Sequence, residues 1–249
     1  YAFAALIELS QAILRHREAA IGSAAQHRHA FSRAARSNAL QRQFASVVRR
    51  SMNNQVMVNG ALEGETPLTT TFPDTHLGRQ LQMVARLIHV RNTLQMQRQI
   101  FFVGLGGFDT HDNQLADQAE QLTELDGALA AFYAATSEMG VANGVTTFTA
   151  SEFGRTTSIN GDGTDHGWGS HHLILGGAVN GRRIYGRPPD LSVGGPDDAD
   201  WGQIIPTTSV DQYAATIARW YGVSPGDMST VFPNIGRFAT PDLGFMGAP

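Results

Sequence analysis

Residues 100–111 read IFFVGLGGFDTH, and the reading of this stretch organises the second half of the chain. Ile100 to Leu105 is a short apolar run bounded by glycine, as a buried strand of a parallel sheet requires. Gly106 and Gly107 follow, and then Asp109, Thr110 and His111. Leu115 to Thr136 carries Leu122, Leu125, Leu129, Phe132 and Tyr133 at helical spacing. Val145 to Thr149 is a second strand of β-branched and aromatic residues, and SEFGRT (151–156) comes soon after it. Strand, loop, helix, strand and loop form a βαβ rhythm. It predicts an α/β fold, a mostly parallel sheet flanked by helices, in which 100–105 and 145–149 are near neighbours and helix 115–136 covers one face.

Outward from this core, residues 1–57 and 76–97 have helical texture, rich in Ala, Leu, Gln and Arg. Leu40, Phe44, Val47 and Val48 form one expected buried stripe. Residues 60–75 read as loop. Leu173 to Leu175 is a third candidate strand, and residues 180–206 are glycine- and proline-rich loop. Ser209 to Trp220 is a helix, with Ser209 and Gln212 spaced as a capping box. The expected organisation is a helical part, 1–99, packed on or inserted in the core, and an α/β part, 100–249, that carries the site. The chain begins at Tyr1, without methionine and inside helix-like sequence, and reads as an incomplete or processed chain.

The net charge of −4 hides an asymmetry. Residues 1–100 carry 12 Arg against 5 Asp and Glu, which is +7; residues 101–249 carry 6 Arg against 17 acidic residues, which is −11. An acidic second half argues against a nucleic-acid partner there, because phosphate binding needs clustered positive charge. It suits bound cations. Without cysteine, disulfides, thiolate metal sites and cysteine nucleophiles are excluded. No apolar run is long enough to span a membrane.

The chemistry concentrates in three glycine-flanked segments, GLGGFDTH (104–111), SEFGRT (151–156) and GDGTDHGWGSHH (161–172). In open parallel sheets ligands bind beyond the carboxyl ends of strands, where Asp109, His111, Ser151 and Glu152 fall. Asp109 and His111 are two apart, so an extended backbone points both toward one metal; Asp109 as a helix cap is the alternative. Glu152 suits a metal ligand or general base, Ser151 an anion contact or nucleophile, and Arg155 a bidentate anion fork. The plainer reading is a strand-exit turn with a Glu152–Arg155 ion pair. Asp165, His166 and one of His171 and His172 complete the expected metal set, against a hydrogen-bonded loop stapled by Trp168. Carboxylate mixed with imidazole favours zinc, manganese or iron, with calcium the weaker fit. His16, His27, His29, His76 and His89 lie on arginine-rich helical faces and read as solvated.

The segments GLGGFDTH, TASEFGRT, NGDGTDHGWGSHHLILGGAV and IPTTSVDQYAATIARWYGVS resemble the bacterial family catalogued as domain of unknown function 1501, specifically across about residues 100–235. That family is grouped with the alkaline phosphatase and sulfatase superfamily, and its members are mostly exported, many by twin-arginine signals. The resemblance implies a metal site at the carboxyl edge of an α/β sheet and a periplasmic or cell-surface location. By order, Asp109 and His111 match the superfamily's first ligand pair, Ser151-Glu152 falls where an Asp-His pair would stand, and His166 matches the late His. Phe153 replaces an imidazole, and the superfamily's nucleophile segment has no counterpart in this chain. The expected function is therefore a metal-dependent hydrolase of phosphate or sulfate esters, its substrate a small anionic ester or a polysaccharide-type one. The alternative is a non-catalytic metal-binding or surface-assembly protein on the same scaffold.

Overall fold

The computed structural model describes residues 39–247. The expectations for His16, His27 and His29 and for the first part of the N-terminal helix lie outside them. Among the described residues, those up to Thr69 and Arg79–Gly104 belong to one compact unit, and Thr70–Gly78 with those from Leu105 onward to a second.

In the first unit, helix α1 (Ala39–Glu63) is built from good helix formers. Its packing is concentrated at its C-terminal end, where Val58, Ala61 and Leu62 meet Leu87, Val90 and Leu94. Of the expected stripe, Leu40, Phe44 and Val47 are exposed and Val48 is half-buried, while Ala45 in the same part of the helix is buried. Helix α2 (His76–His89), whose first three residues belong to the second unit, carries Leu77, Leu81, Val84, Ala85 and Ile88 at three-four spacing, all buried. It stops short of the expected Gln97. Val90, Asn92 and Thr93 are weaker helix formers, and Gln95 turns left-handed at φ 54°.

In the second unit, α3 (Gln114–Glu138) buries Ala128, Phe132, Ala135 and Thr136. Glu124 on α3 accepts the Leu77 amide at 2.8 Å. Beyond α3, a short 3₁₀ turn leads into β1 (Thr146–Phe148), followed by β2 (Gly154–Asn160), β3 (Gly163–Gly167) and β4 (Ile174–Gly176). The mixed helix-and-strand class holds, but the sheets are two small antiparallel pairs, β1 with β4 and β2 with β3. The expected strand at 100–105 is absent among the described residues. Ile100 and Phe102 are exposed while Phe101, Val103 and Leu105 are half-buried. The run is one-sided, whereas a central parallel strand is buried on both faces.

The last long helix, α4 (Val210–Tyr221), begins as its sequence dictates. Ser209 accepts the Asp211 amide at 3.1 Å and Gln212 accepts the Ser209 amide at 3.0 Å, while Gly222 ends the helix left-handed at φ 111°. Such an N-cap contributes about 1 kcal/mol. The buried Thr216 hydroxyl donates to Gln212 and accepts from the Leu243 amide. Tyr213 on the same helix meets Phe148 and Phe245, the latter fully buried. A short helix α5 (Met228–Val231) and a 3₁₀ turn at Ile235–Arg237 complete the described chain. No helix among the described residues is long and apolar enough to cross a membrane.

Candidate metal centre

The site is built by the β2–β3 hairpin. Asn160 pairs with Gly163 across a two-residue loop that opens on Gly161, left-handed at φ 68°, which is what a tight hairpin turn asks of glycine. Gly163 lies so close to the preceding loop that a Cβ there would sit 2.2 Å from the His111 carbonyl carbon. The Thr164 amide donates to the Thr110 carbonyl at 3.3 Å, and the Gln114 amide to the Asp162 carbonyl at 3.1 Å. These bonds lay residues 109–111 beside β3. Register does the rest, because Arg155 and His166 are cross-strand partners.

Three groups meet at one oxygen. Asp109 Oδ1 lies 2.8 Å from His166 Nε2, 3.0 Å from His111 Nε2 and 2.6 Å from Arg155 Nη1. One ligand atom from each of Asp109, His111 and His166 lies within 4.8 Å of the others. A metal 2.0–2.2 Å from three tetrahedral ligands spaces them about 3.4 Å apart, so two edges of the cluster, at 2.8 and 3.0 Å, are about half an ångström shorter than that spacing. The Asp109 carboxyl is held below the usual carboxylate range. The His166 hydrogen bond contributes most; desolvation opposes it, and Arg155 and the charges of both imidazoles add to it.

The surroundings fix the ligands. Phe153 stacks on the His166 ring at 4.0 Å and 10°. The Gln203 side chain reaches the His166 carbonyl at 3.5 Å. Arg155 does not stand at the mouth as an anion fork. It is 17% exposed and donates to Asp109, to Thr164 Oγ1 at 2.9 Å, to the Thr110 carbonyl at 2.6 Å and to the Thr164 carbonyl. Its fork ties the 109–111 loop to the hairpin. Thr164 Oγ1 in turn donates to Gln114 on α3 at 2.8 Å. Asp109 makes these contacts rather than capping α3, whose N-cap is Asn113.

Asp165 stands outside the triad. Its Oδ1 lies 3.3 Å from His111 Nδ1, on the far side of the ring, and accepts from Asn160 Nδ2 at 3.1 Å. Glu152 is exposed and is not brought into the cluster, nor does it pair with Arg155. The Ser151 hydroxyl donates to the Phe153 carbonyl at 2.9 Å. Trp168 is 61% exposed and staples nothing down. His171 is exposed, and His76 and His89 take no part in the triad. His172 turns to another neighbourhood: its Nδ1 is 3.3 Å from Thr149 Oγ1 and its ring lies 5.6 Å from that of Tyr213. Burial pushes the Tyr213 phenol up. Sequence reasoning missed Asn160, Gln114 and Thr164 as supports. The Asn160-Gly161 dipeptide, a strong hairpin signal, was the available clue.

Burial first, and then the neighbouring His171, hold His172 below the ordinary imidazole value of 6.5. The unfolded chain thus binds a proton more readily than the folded one. Folding stability is fully present above the ordinary imidazole value and falls as the pH drops through it toward the depressed folded value. We expect urea midpoints to fall between pH 7.5 and 5.5, and to fall less in His172→Gln. Equal falls in both proteins would rule out His172 as the cause.

The metal-capable triad thus sits on the β2–β3 hairpin and the loop before α3, and both lie inside a family match. The family model described as protein of unknown function (DUF1501) covers residues 7–226. The chain belongs to this family. In this DUF1501 chain the matched span contains the whole hairpin, the Asp109–His111 loop and α4. No curated protein and no solved structure shows significant similarity to the chain.

Proposed function

We propose that this protein holds one divalent metal ion through Asp109, His111 and His166 and hydrolyses a small anionic ester. The observation that carries the reading is the triad itself: one carboxylate and two imidazoles, all about half exposed, converging within 4.8 Å. Three protein ligands leave a coordination position open to solvent, the arrangement of catalytic rather than structural metal sites. Two imidazoles with one carboxylate favour zinc, manganese or iron over calcium, which prefers all-oxygen sites. A metal there supplies a Lewis acid and lowers the pKa of a bound water.

The chain's own residues supply the rest. Asp109, Asp165 and Arg155 sum to −1, so a divalent ion leaves the site at +1, which favours a phosphate or sulfate ester. The alkaline phosphatase and sulfatase kinship, the larger parallel sheet that kinship entails, a saccharide-borne substrate and twin-arginine export to the periplasm or cell surface belong to the same proposal through the family resemblance. A second reading, a non-catalytic metal-binding or surface-assembly protein, draws on one observation. Arg155 and Ser151, the residues suited to hold an anion and attack it, both donate to groups of the protein itself.

Elemental analysis of the purified protein, with assays on aryl phosphates and sulfates, tests the proposal. We expect about one metal per chain and turnover that a chelator removes. Metal without turnover on either ester favours the second reading. No metal after incubation with zinc, manganese and iron salts defeats both.

A further inference from the structure

We propose that Asp165 is a positioning residue that fixes the ring orientation and tautomer of His111, presenting Nε2 to the metal. The inference rests on the metal reading above. The His111 ring lies between two carboxylates: Nε2 faces Asp109 at 3.0 Å and Nδ1 faces Asp165 at 3.3 Å. A neutral imidazole carries one proton, on one nitrogen or the other. Asp109 Oδ1 is already approached by Arg155 Nη1 and His166 Nε2. Asp165 accepts from the Asn160 amide and is otherwise the open acceptor beside the ring. Nδ1 is the nitrogen beside this open carboxylate, so the proton belongs there, within reach of Asp165, and the Nε2 lone pair is left for the ion.

The backbone reinforces the assignment. Asp165 is held on β3 by its amide, which donates to Thr156 Oγ1 at 3.1 Å. Asn160, at the hairpin turn, braces its carboxylate from the opposite strand. His111 is held from below by the close approach of Gly163. Both ends of the Asp165–His111 contact are thus set by the hairpin. Carboxylates behind ligating imidazoles recur in metal sites, and removing them costs about 10–100-fold in metal affinity. This explains why a carboxylate so near the triad stays outside it.

The test uses the full chain and zinc. Calorimetric zinc affinity is measured for wild type, Asp165→Ala, Asp165→Asn and Asn160→Ala, with nitrogen-15 NMR of the histidine rings in the metal-free proteins. We expect Asp165→Ala to bind zinc about 10–100-fold more weakly. Asp165→Asn, which keeps an acceptor oxygen, should recover most of that loss, and Asn160→Ala should lose less. In the metal-free spectra His111 should carry its proton on Nδ1 in wild type and shift toward Nε2 in Asp165→Ala. Wild-type affinity and an unchanged tautomer in Asp165→Ala would overturn the proposal. Absence of zinc binding by wild type overturns the metal site instead, and the metal-free spectra then decide the Asp165 contact alone.

Discussion

Asp109→Ala should reduce the metal content from about one equivalent to trace. Asp109 is the only carboxylate of the triad, and its Oδ1 is the atom on which His111, His166 and Arg155 converge. Removing a ligand outright should cost more than the roughly 100-fold upper end for residues that only support ligands. The change also leaves the Arg155 guanidinium, mostly buried, facing a void where its carboxylate partner stood. Some loss of stability should accompany the loss of metal, so one variant alone is ambiguous. Asp109→Asn separates the two effects. It keeps an oxygen for Arg155 and removes the charge the metal needs, so it should fold close to wild type and bind metal weakly. His111→Ala and His166→Ala should likewise lose the metal while leaving Arg155 paired. Elemental analysis with parallel urea unfolding distinguishes these outcomes. A folded Asp109→Asn protein, or a His111→Ala protein, with wild-type metal content would remove the triad as the site.

How much of this was legible before the structure depends on the kind of signal. Helix α3 and helix α4 are read from spacing and caps, which are local: Phe132 and Ala128 are buried where the periodicity puts them, and Ser209 with Gln212 forms its box. Strand β1 was recognisable from β-branched and aromatic residues and β4 from a short apolar run, but such runs carry no information about direction or partner. The antiparallel pairing of Thr146 with Gly176 is a tertiary fact. The same limit applies to 100–105, whose apolar content does not reveal that Ile100 and Phe102 face solvent. Asp109, His111 and His166 could be picked by residue type. Their division of labour could not. It depends on the Arg155–His166 register, on the bulge between Arg155 and Ile159, and on a hairpin whose strands are polar and glycine-rich rather than alternating. Asp165 looks like a ligand in sequence because it adjoins His166. In the fold its side chain meets the outer nitrogen of His111. One of His171 and His172 was expected at the site; neither joins the triad, and the His172 ring lies beside Tyr213.

Gly163→Ala should be the single-methyl change in the hairpin that most weakens metal binding, and it should lower stability with it. Its Cβ would lie 2.2 Å from the His111 carbonyl carbon, 2.4 Å from the carbonyl oxygen and 2.7 Å from the Asp112 nitrogen. All three are backbone atoms, so no rotamer change relieves the overlap; the hairpin or the 109–111 loop must move. Overpacking of this kind costs about 1–3 kcal/mol, or roughly 2–4 °C in melting temperature per kcal/mol for a chain of this size. Because the displaced atoms belong to His111, the ligand moves with them. Gly154→Ala makes a sharper clash, 1.8 Å from the Gly169 oxygen, but against the segment after β3. It should destabilise comparably and disturb the metal less. Gly106→Ala has nothing within 4 Å and serves as the neutral control in the ligand loop. Melting temperatures and zinc affinities of the three variants together decide whether the close approach at Gly163 sets the site. If Gly163→Ala melts and binds zinc as Gly106→Ala does, the hairpin does not hold His111 where the metal needs it.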